Sequence, residues 1–122
     1  MQFNRLEAGG PPAVPVAELS GDGVLVATPS DALDVLASAG CDRIVLHAAN
    51  LHADFFRLAT GLAGEIMQKF ANYGVRAAVV GPLPGRPSES LQALVRESRR
   101  GERGGPVVFT DTLEEALQRL AR

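Results

Sequence analysis

Apolar residues in this chain either gather in short continuous runs or recur every three to four positions over longer stretches. The runs Val14–Leu19, Val24–Ala27, Arg43–His47, Val75–Val80 and Pro106–Thr110 read as strands, and continuous apolar runs suit strands covered on both faces. The stretches from Asp31 to Ala39, Ala53 to Tyr73, Ser88 to Arg99 and the residues after Thr112 carry helical spacing, with a break expected near Thr60-Gly61. Thr28-Pro29-Ser30-Asp31 supplies a hydroxyl cap, a proline at the first helical position and a carboxylate behind it, and Gly40 supplies the stop. Thr112-Leu-Glu-Glu115 is a second capping box, opening a helix with Leu113, Ala116, Leu117 and Leu120 on one face. Ser20-Gly21-Asp22-Gly23 is turn chemistry, which makes Val14–Leu19 and Val24–Ala27 a hairpin, and Pro15 pushes the first of these strands towards a sheet edge. Met1 to Ala13, with Gly9-Gly10-Pro11-Pro12, reads as a flexible lead-in, and residues 14–122 as one domain. The resulting order is β-β-α-β-α-β-α-β-α, whose alternation predicts an α/β fold with parallel crossovers and helices on at least one face of the sheet.

Composition narrows the function classes. At 122 residues the chain suits a single core, and 46% hydrophobic with 21% charged residues excludes wholesale disorder. A net charge of −2 argues against general nucleic-acid binding. No apolar run is long enough for a membrane helix and no signal-peptide pattern opens the chain, so a cytoplasmic protein without membrane contact is expected. Cys41 stands alone, which excludes an internal disulfide and a zinc ribbon. Eleven of the twelve basic residues are arginine, a bias of the kind codon usage produces, and Lys69 is the single lysine.

The segment Gly61-Leu-Ala-Gly-Glu-Ile-Met-Gln-Lys-Phe-Ala-Asn-Tyr73, followed by Val75-Arg-Ala-Ala-Val-Val-Gly81, resembles the bacterial domain-of-unknown-function family 4180. Ile44-Val-Leu-His47, Asn50-Leu51, Phe55-Phe56, Glu97-Ser98 and Leu113-Glu-Glu-Ala-Leu117 carry the same likeness. The family has no established activity. The layout is similar, more distantly, to the STAS domain of anti-sigma-factor antagonists, where a phosphorylatable serine precedes glycine at the start of the helix after the third strand. That resemblance implies a STAS-like sheet and a regulatory role, and it aligns Thr60-Gly61-Leu62 with the switch, making Thr60 the possible phosphorylation site.

Candidate chemistry concentrates in two places. His47, Asn50, His52 and Asp54 follow the third strand of the order, where ligands of open α/β sheets gather. His-x4-His without a third histidine is poor metal spacing, and Asp54 suits a helix cap, so no metal site is assigned. In the motif helix, Leu62, Ala63, Ile66, Met67, Phe70, Ala71 and Tyr73 form an apolar arc, while Gly61, Gly64, Glu65, Gln68, Lys69 and Asn72 share the other side. Glu65 and Lys69 stand four apart in the favourable order for an ion pair, and Gln68 and Asn72 repeat the spacing. Two glycines near a helix start cost helix stability, which is the argument for a binding strip approached closely by a partner. Gly81-Pro-Leu-Pro-Gly85 lacks the lysine and the amides of a phosphate loop and reads as a connector. Arg96, Arg99, Arg100 and Arg103, interleaved with Glu97 and Glu102, read as a solvated helix end.

No nucleophile, base and orienting group stand together in a recognised pattern, so no catalytic residue and no cofactor is assigned. The expected function is a regulatory or interaction module that binds a protein partner or small ligand through His47, Asn50, Thr60, Gly61, Glu65, Gln68, Lys69 and Asn72. Two alternatives stay open: a small enzyme using His47 with Glu65, and a homodimerisation domain.

Overall fold

The computed structural model describes residues 1–100 and 105–121. Five strands form one mixed sheet in chain order: β1 (Gln2–Ala8), β2 (Val14–Ser20), β3 (Arg43–His47), β4 (Arg76–Val80) and β5 (Val107–Thr110). β1 and β2 are antiparallel and the rest run parallel to β2. One α-helix follows each of β2 to β5: α1 (Pro29–Ala39), α2 (Leu62–Asn72), α3 (Glu89–Ser98) and α4 (Leu113–Leu120). The α/β architecture, a hairpin at the start of the chain and the alternation of helices with strands are as the sequence predicts, although the hairpin is built from other strands.

Both faces of the sheet are covered, unequally. Ala32 and Val35 of α1, Ile66 and Phe70 of α2 and Leu91 of α3 bury one face against Leu19, Ile44, Leu46, Val79 and Phe109. Among the described residues α4 alone covers the other face, where its Ala116 and Leu120 meet Val16, Val45, Ala78 and Val108. Alternation along each strand sends successive side chains to opposite layers, so strands covered twice are apolar throughout. Arg43 and Arg76, at the starts of β3 and β4, donate to the carbonyls of Leu120 and Arg119 and fix the end of α4 there.

The helix punctuation reads true. Thr28 Oγ1 accepts from the Asp31 amide while Asp31 Oδ2 accepts from the amides of Ala27 and Thr28, and Gly40 closes α1 at φ 72°. Ser88 and Thr112 cap α3 and α4 through the amides of Leu91 and Glu115.

The hairpin differs from the expected one. Residues 2–8, read as part of a flexible lead-in, form β1, and Gly9 to Ala13 form the hairpin connection. Val24–Ala27 is not a ladder strand: Val26 makes one isolated parallel bridge to Leu51, and the amides of Leu25 and Val26 share the Asn50 carbonyl. β2 is an inner strand despite Pro15, because its pairing with β3 is confined to Ala17 and Glu18, which leaves Pro15 beyond that ladder. The helix expected from Ala53 begins only at Leu62. Two 3₁₀ turns, Ala53–Phe56 and Leu58–Thr60, precede it, and Gly61 at φ 80° ends the second, a left-handed backbone that blocks a continuous helix. Residues 101–104 of the expected polar loop lie outside the described residues.

Candidate functional site

His47 closes β3 and shares the α4 side of the sheet with Val45, two residues back. Its partner there is Glu18 of β2, whose Oε2 lies 2.7 Å from His47 Nε2. On the far side of Glu18, Asn4 of β1 sits directly opposite in register and donates its amide to Oε1 at 3.0 Å. Three strands thus contribute one residue each to a polar row, with Glu18 buried at its centre. α4 ends over the opposite ends of the strands, so His47 keeps a side-chain exposure of 36%. Burial pushes the Glu18 carboxyl up, but the hydrogen bonds from Asn4 and His47, with the charge of protonated His47, outweigh it and hold the carboxyl below its ordinary value.

The loop after β3 is held by its own polar groups. Asn50 is buried, and its amide donates to the carbonyls of Gly21 at 3.0 Å and Gly23 at 2.8 Å. His52 Nδ1 accepts from the Asp54 amide at 3.0 Å, so the helix-cap role expected of Asp54 belongs to His52. A ring nitrogen that accepts an amide proton carries none of its own, so the 3.7 Å approach of Asp54 Oδ2 to it is no ion pair. Thr60 is exposed, with its hydroxyl 2.7 Å and 2.8 Å from the carbonyl oxygens of Asp54 and Arg57, and it accepts from the Leu62 amide at 3.3 Å.

α2 buries Ala63, Ile66 and Phe70 against the sheet. Gly64, Gln68 and Asn72 fall on one outward row, with the Gln68 amide donating to Asn72 Oδ1 at 2.8 Å. Glu65, Lys69 and Tyr73 form the neighbouring row by the same four-residue step. Glu65 and Lys69 make no ion pair with each other or with any described residue. Tyr73, expected on the apolar arc, is 65% exposed, and Ala71 is exposed as well. The last turn loosens at Tyr73 (φ −99°, ψ 6°), and Gly74 at φ 66° redirects the chain into β4, so the ring is not carried to the sheet. The two glycines separate in cause: Gly61 supplies a left-handed turn, whereas a Cβ on Gly64 would meet nothing within 4 Å.

The structure therefore does not bring the expected residues to one place. His47 lies on the α4 side of the sheet and Glu65 on the far surface of α2, which covers the other side. The enzyme reading that needs these two to converge finds no such site: the carboxylate of His47 is Glu18. Glu18 was legible as a carboxylate in an otherwise apolar strand, two residues after Val16 and hence on its face. Among the described residues no group of three or more histidine, cysteine, aspartate or glutamate side chains is arranged to hold a metal ion. Cys41 approaches the Arg43 carbonyl at 3.3 Å. Of the basic cluster, Arg99 donates to the Phe109 carbonyl and faces Asp111 at 3.5 Å, and Arg100 faces Glu97 at 3.4 Å. Arg103 and Glu102 lie outside the described residues.

A cleft of about 270 Å³ opens between the loop after β3 and the loop after β4, with Phe56, Arg57, Pro84, Arg86, Pro87 and Leu91 in its walls. Arg86 is not legible as a site residue in the sequence, because its loop reads as a proline-rich connector. No helix among the described residues is long and apolar enough to cross a membrane.

No curated protein and no solved structure matches the chain in comparison. A family model does: the domain of unknown function DUF4180 matches residues 12–120, from just before β2 to the end of α4, and the chain belongs to that family.

Proposed function

We propose that this domain is a non-enzymatic interaction module that docks a protein partner on the outer surface of α2. The observation that carries the reading is uncommitted binding capacity in one row: Glu65 and Lys69 stand one turn apart without pairing, and Tyr73, at the next turn, is 65% exposed. An exposed tyrosine offers a rigid apolar ring with a polar tip, and such residues dominate binding energy at interfaces. Gly64 supports it, since a helix glycine without an internal reason leaves a flat spot where another backbone can approach. Asn50, whose donors are spent on backbone carbonyls, takes no part, and His47 belongs to the opposite side of the sheet.

The anti-sigma-factor-antagonist likeness supplies a switch for the same surface. Thr60 stands exposed just before the left-handed Gly61 that starts α2. A phosphate there would displace the hydroxyl from the carbonyls of Asp54 and Arg57 and place nearly two negative charges at the helix start.

The test places a photocrosslinking residue at position 68 in cells that naturally express the chain, with position 34 on α1 as the control. A partner crosslinked from 68 and not from 34, and lost in the Glu65→Lys/Lys69→Glu and Tyr73→Ala variants, is the expected result. Equal labelling from both positions, or labelling indifferent to the substitutions, overturns the docking surface. Crosslinks to a second copy of the chain would establish the homodimer instead.

A further inference from the structure

We infer that the cleft between the loops after β3 and β4 binds a small organic phosphate, with Arg57 and Arg86 on the phosphate and the apolar walls against its organic part. The cleft lies where the chain leaves the carboxyl ends of two adjacent parallel strands, the region where open α/β sheets take ligands. Each loop contributes one arginine to its lining, Arg57 from the loop after β3 and Arg86 from the loop after β4.

Arg86 makes no ion pair or hydrogen bond with any described residue. Arg57 has one partner, Asp54 at 3.6 Å, in a pair whose side chains are 73% and 42% exposed. A pair so solvated and so long holds Arg57 weakly, and a phosphate dianion between two guanidinium groups outcompetes it through short, charge-assisted hydrogen bonds.

The loop backbone is constrained, which limits the ordering cost of binding. Pro84 and Pro87 fix φ on either side of Arg86, Gly85 turns the chain at φ 63°, and Gln92 Nε2 donates to the Pro87 carbonyl at 3.1 Å. Pro84, which removes an amide from a backbone phosphate cradle, thus helps to hold a side chain in place to do that work. Phe56, buried at the base of the loop after β3, and Leu91 of α3 provide an apolar wall. A carboxylate satisfies one guanidinium, whereas two arginines match the double charge of a phosphate monoester.

Phenyl phosphate is the probe, titrated into the isotope-labelled chain with backbone amide shifts as the readout. Saturable shifts centred on residues 85–86 and 57 are expected. The Arg86→Gln and Arg57→Gln variants should each raise Kd by about tenfold, as loss of a charge-assisted contact implies. Benzyl alcohol, without the charge, should give no saturable shifts, and inorganic phosphate, without the ring, should bind more weakly than phenyl phosphate. Linear shifts, shifts centred elsewhere, or a Kd unchanged in both variants would overturn the site. Equal affinity for inorganic phosphate would overturn the organic part of it. Both arginines are exposed, so the variant spectra should otherwise match the parent. This cleft does not depend on the α2 surface, and either can fail without the other.

Discussion

The polar row across β1, β2 and β3 and the outer surface of α2 each set a carboxylate within reach of a basic side chain, yet they use them differently. In the row, Glu18 accepts from Asn4 and faces His47 at 2.7 Å, so the acid's capacity is consumed inside the fold. On α2, exposed Glu65 and half-buried Lys69 stand at a spacing that favours pairing and remain apart. Burial accounts for the difference. A carboxylate shielded from water must find partners or lose its charge, whereas an exposed one gains only a few tenths of a kcal/mol from pairing and keeps its freedom. Histidine and carboxylate in contact are therefore evidence about stability here, and idle charges are evidence about binding.

The largest effect should come from cutting the row. His47→Leu leaves a buried carboxylate with Asn4 alone and should cost about 1–3 kcal/mol of unfolding free energy at neutral pH, measured by urea denaturation. A cost below about 0.5 kcal/mol, the level of ordinary surface substitutions, would put the row on the idle side of the comparison. Acid provides a second readout. Because the Glu18 carboxyl is held below its ordinary 4.5, the unfolded chain binds the proton first as pH falls. The stabilisation is full above about pH 4.5 and is lost as pH drops through the lowered folded value. Glu18→Gln should flatten that acid loss.

Asn50→Ala should come next, at about 1–2 kcal/mol, since it leaves the carbonyls of Gly21 and Gly23 without their donor. The loss should be accompanied by faster hydrogen exchange at Leu25 and Val26, whose amides rest on the Asn50 carbonyl. Unchanged exchange there would mean that the segment is held by Val26 packing alone.

What the sequence made legible follows from how local each cause is. The ends of α1, the stretch of β3 and the cap of α4 depend on residues a few positions apart, and Thr28, Asp31, Gly40 and Thr112 announce them. The hairpin was misplaced because its strands compete with an equally plausible local turn. Gly9-Gly10-Pro11-Pro12 and Ser20-Gly21-Asp22-Gly23 are both turn chemistry, and the choice between them is made by whether β1 or Val24–Ala27 finds a neighbour in the sheet. Missing β1 also hid Asn4, and with it the reason that Glu18 tolerates burial. The loop after β3 has the same kind of cause: Asn50 and His52 look like ligands in the sequence, and their backbone partners give them a structural role. The faces of α2 were largely legible from spacing, apart from Tyr73, whose exposure depends on the way Gly74 turns the chain.

A last pair of substitutions tests whether the two glycines of the motif helix differ as their surroundings imply. Gly61 holds φ 80°, where an alanine side chain crowds the neighbouring carbonyl, so Gly61→Ala should destabilise by about 1–2 kcal/mol even though open space surrounds the site. Gly64 has ordinary helical backbone and equally open space, so Gly64→Ala should stabilise by up to about 1 kcal/mol through helix propensity. The opposite signs at two positions one turn apart separate backbone need from surface design, and thermal unfolding of the two variants resolves them. If Gly64→Ala stabilises the fold and also weakens crosslinking from position 68, its bare surface serves the partner. If it stabilises the fold and leaves crosslinking unchanged, the flat spot contributes nothing, and docking rests on Glu65, Lys69 and Tyr73. Were both substitutions to destabilise equally, α2 would have to be held at Gly64 by a constraint other than its own helix.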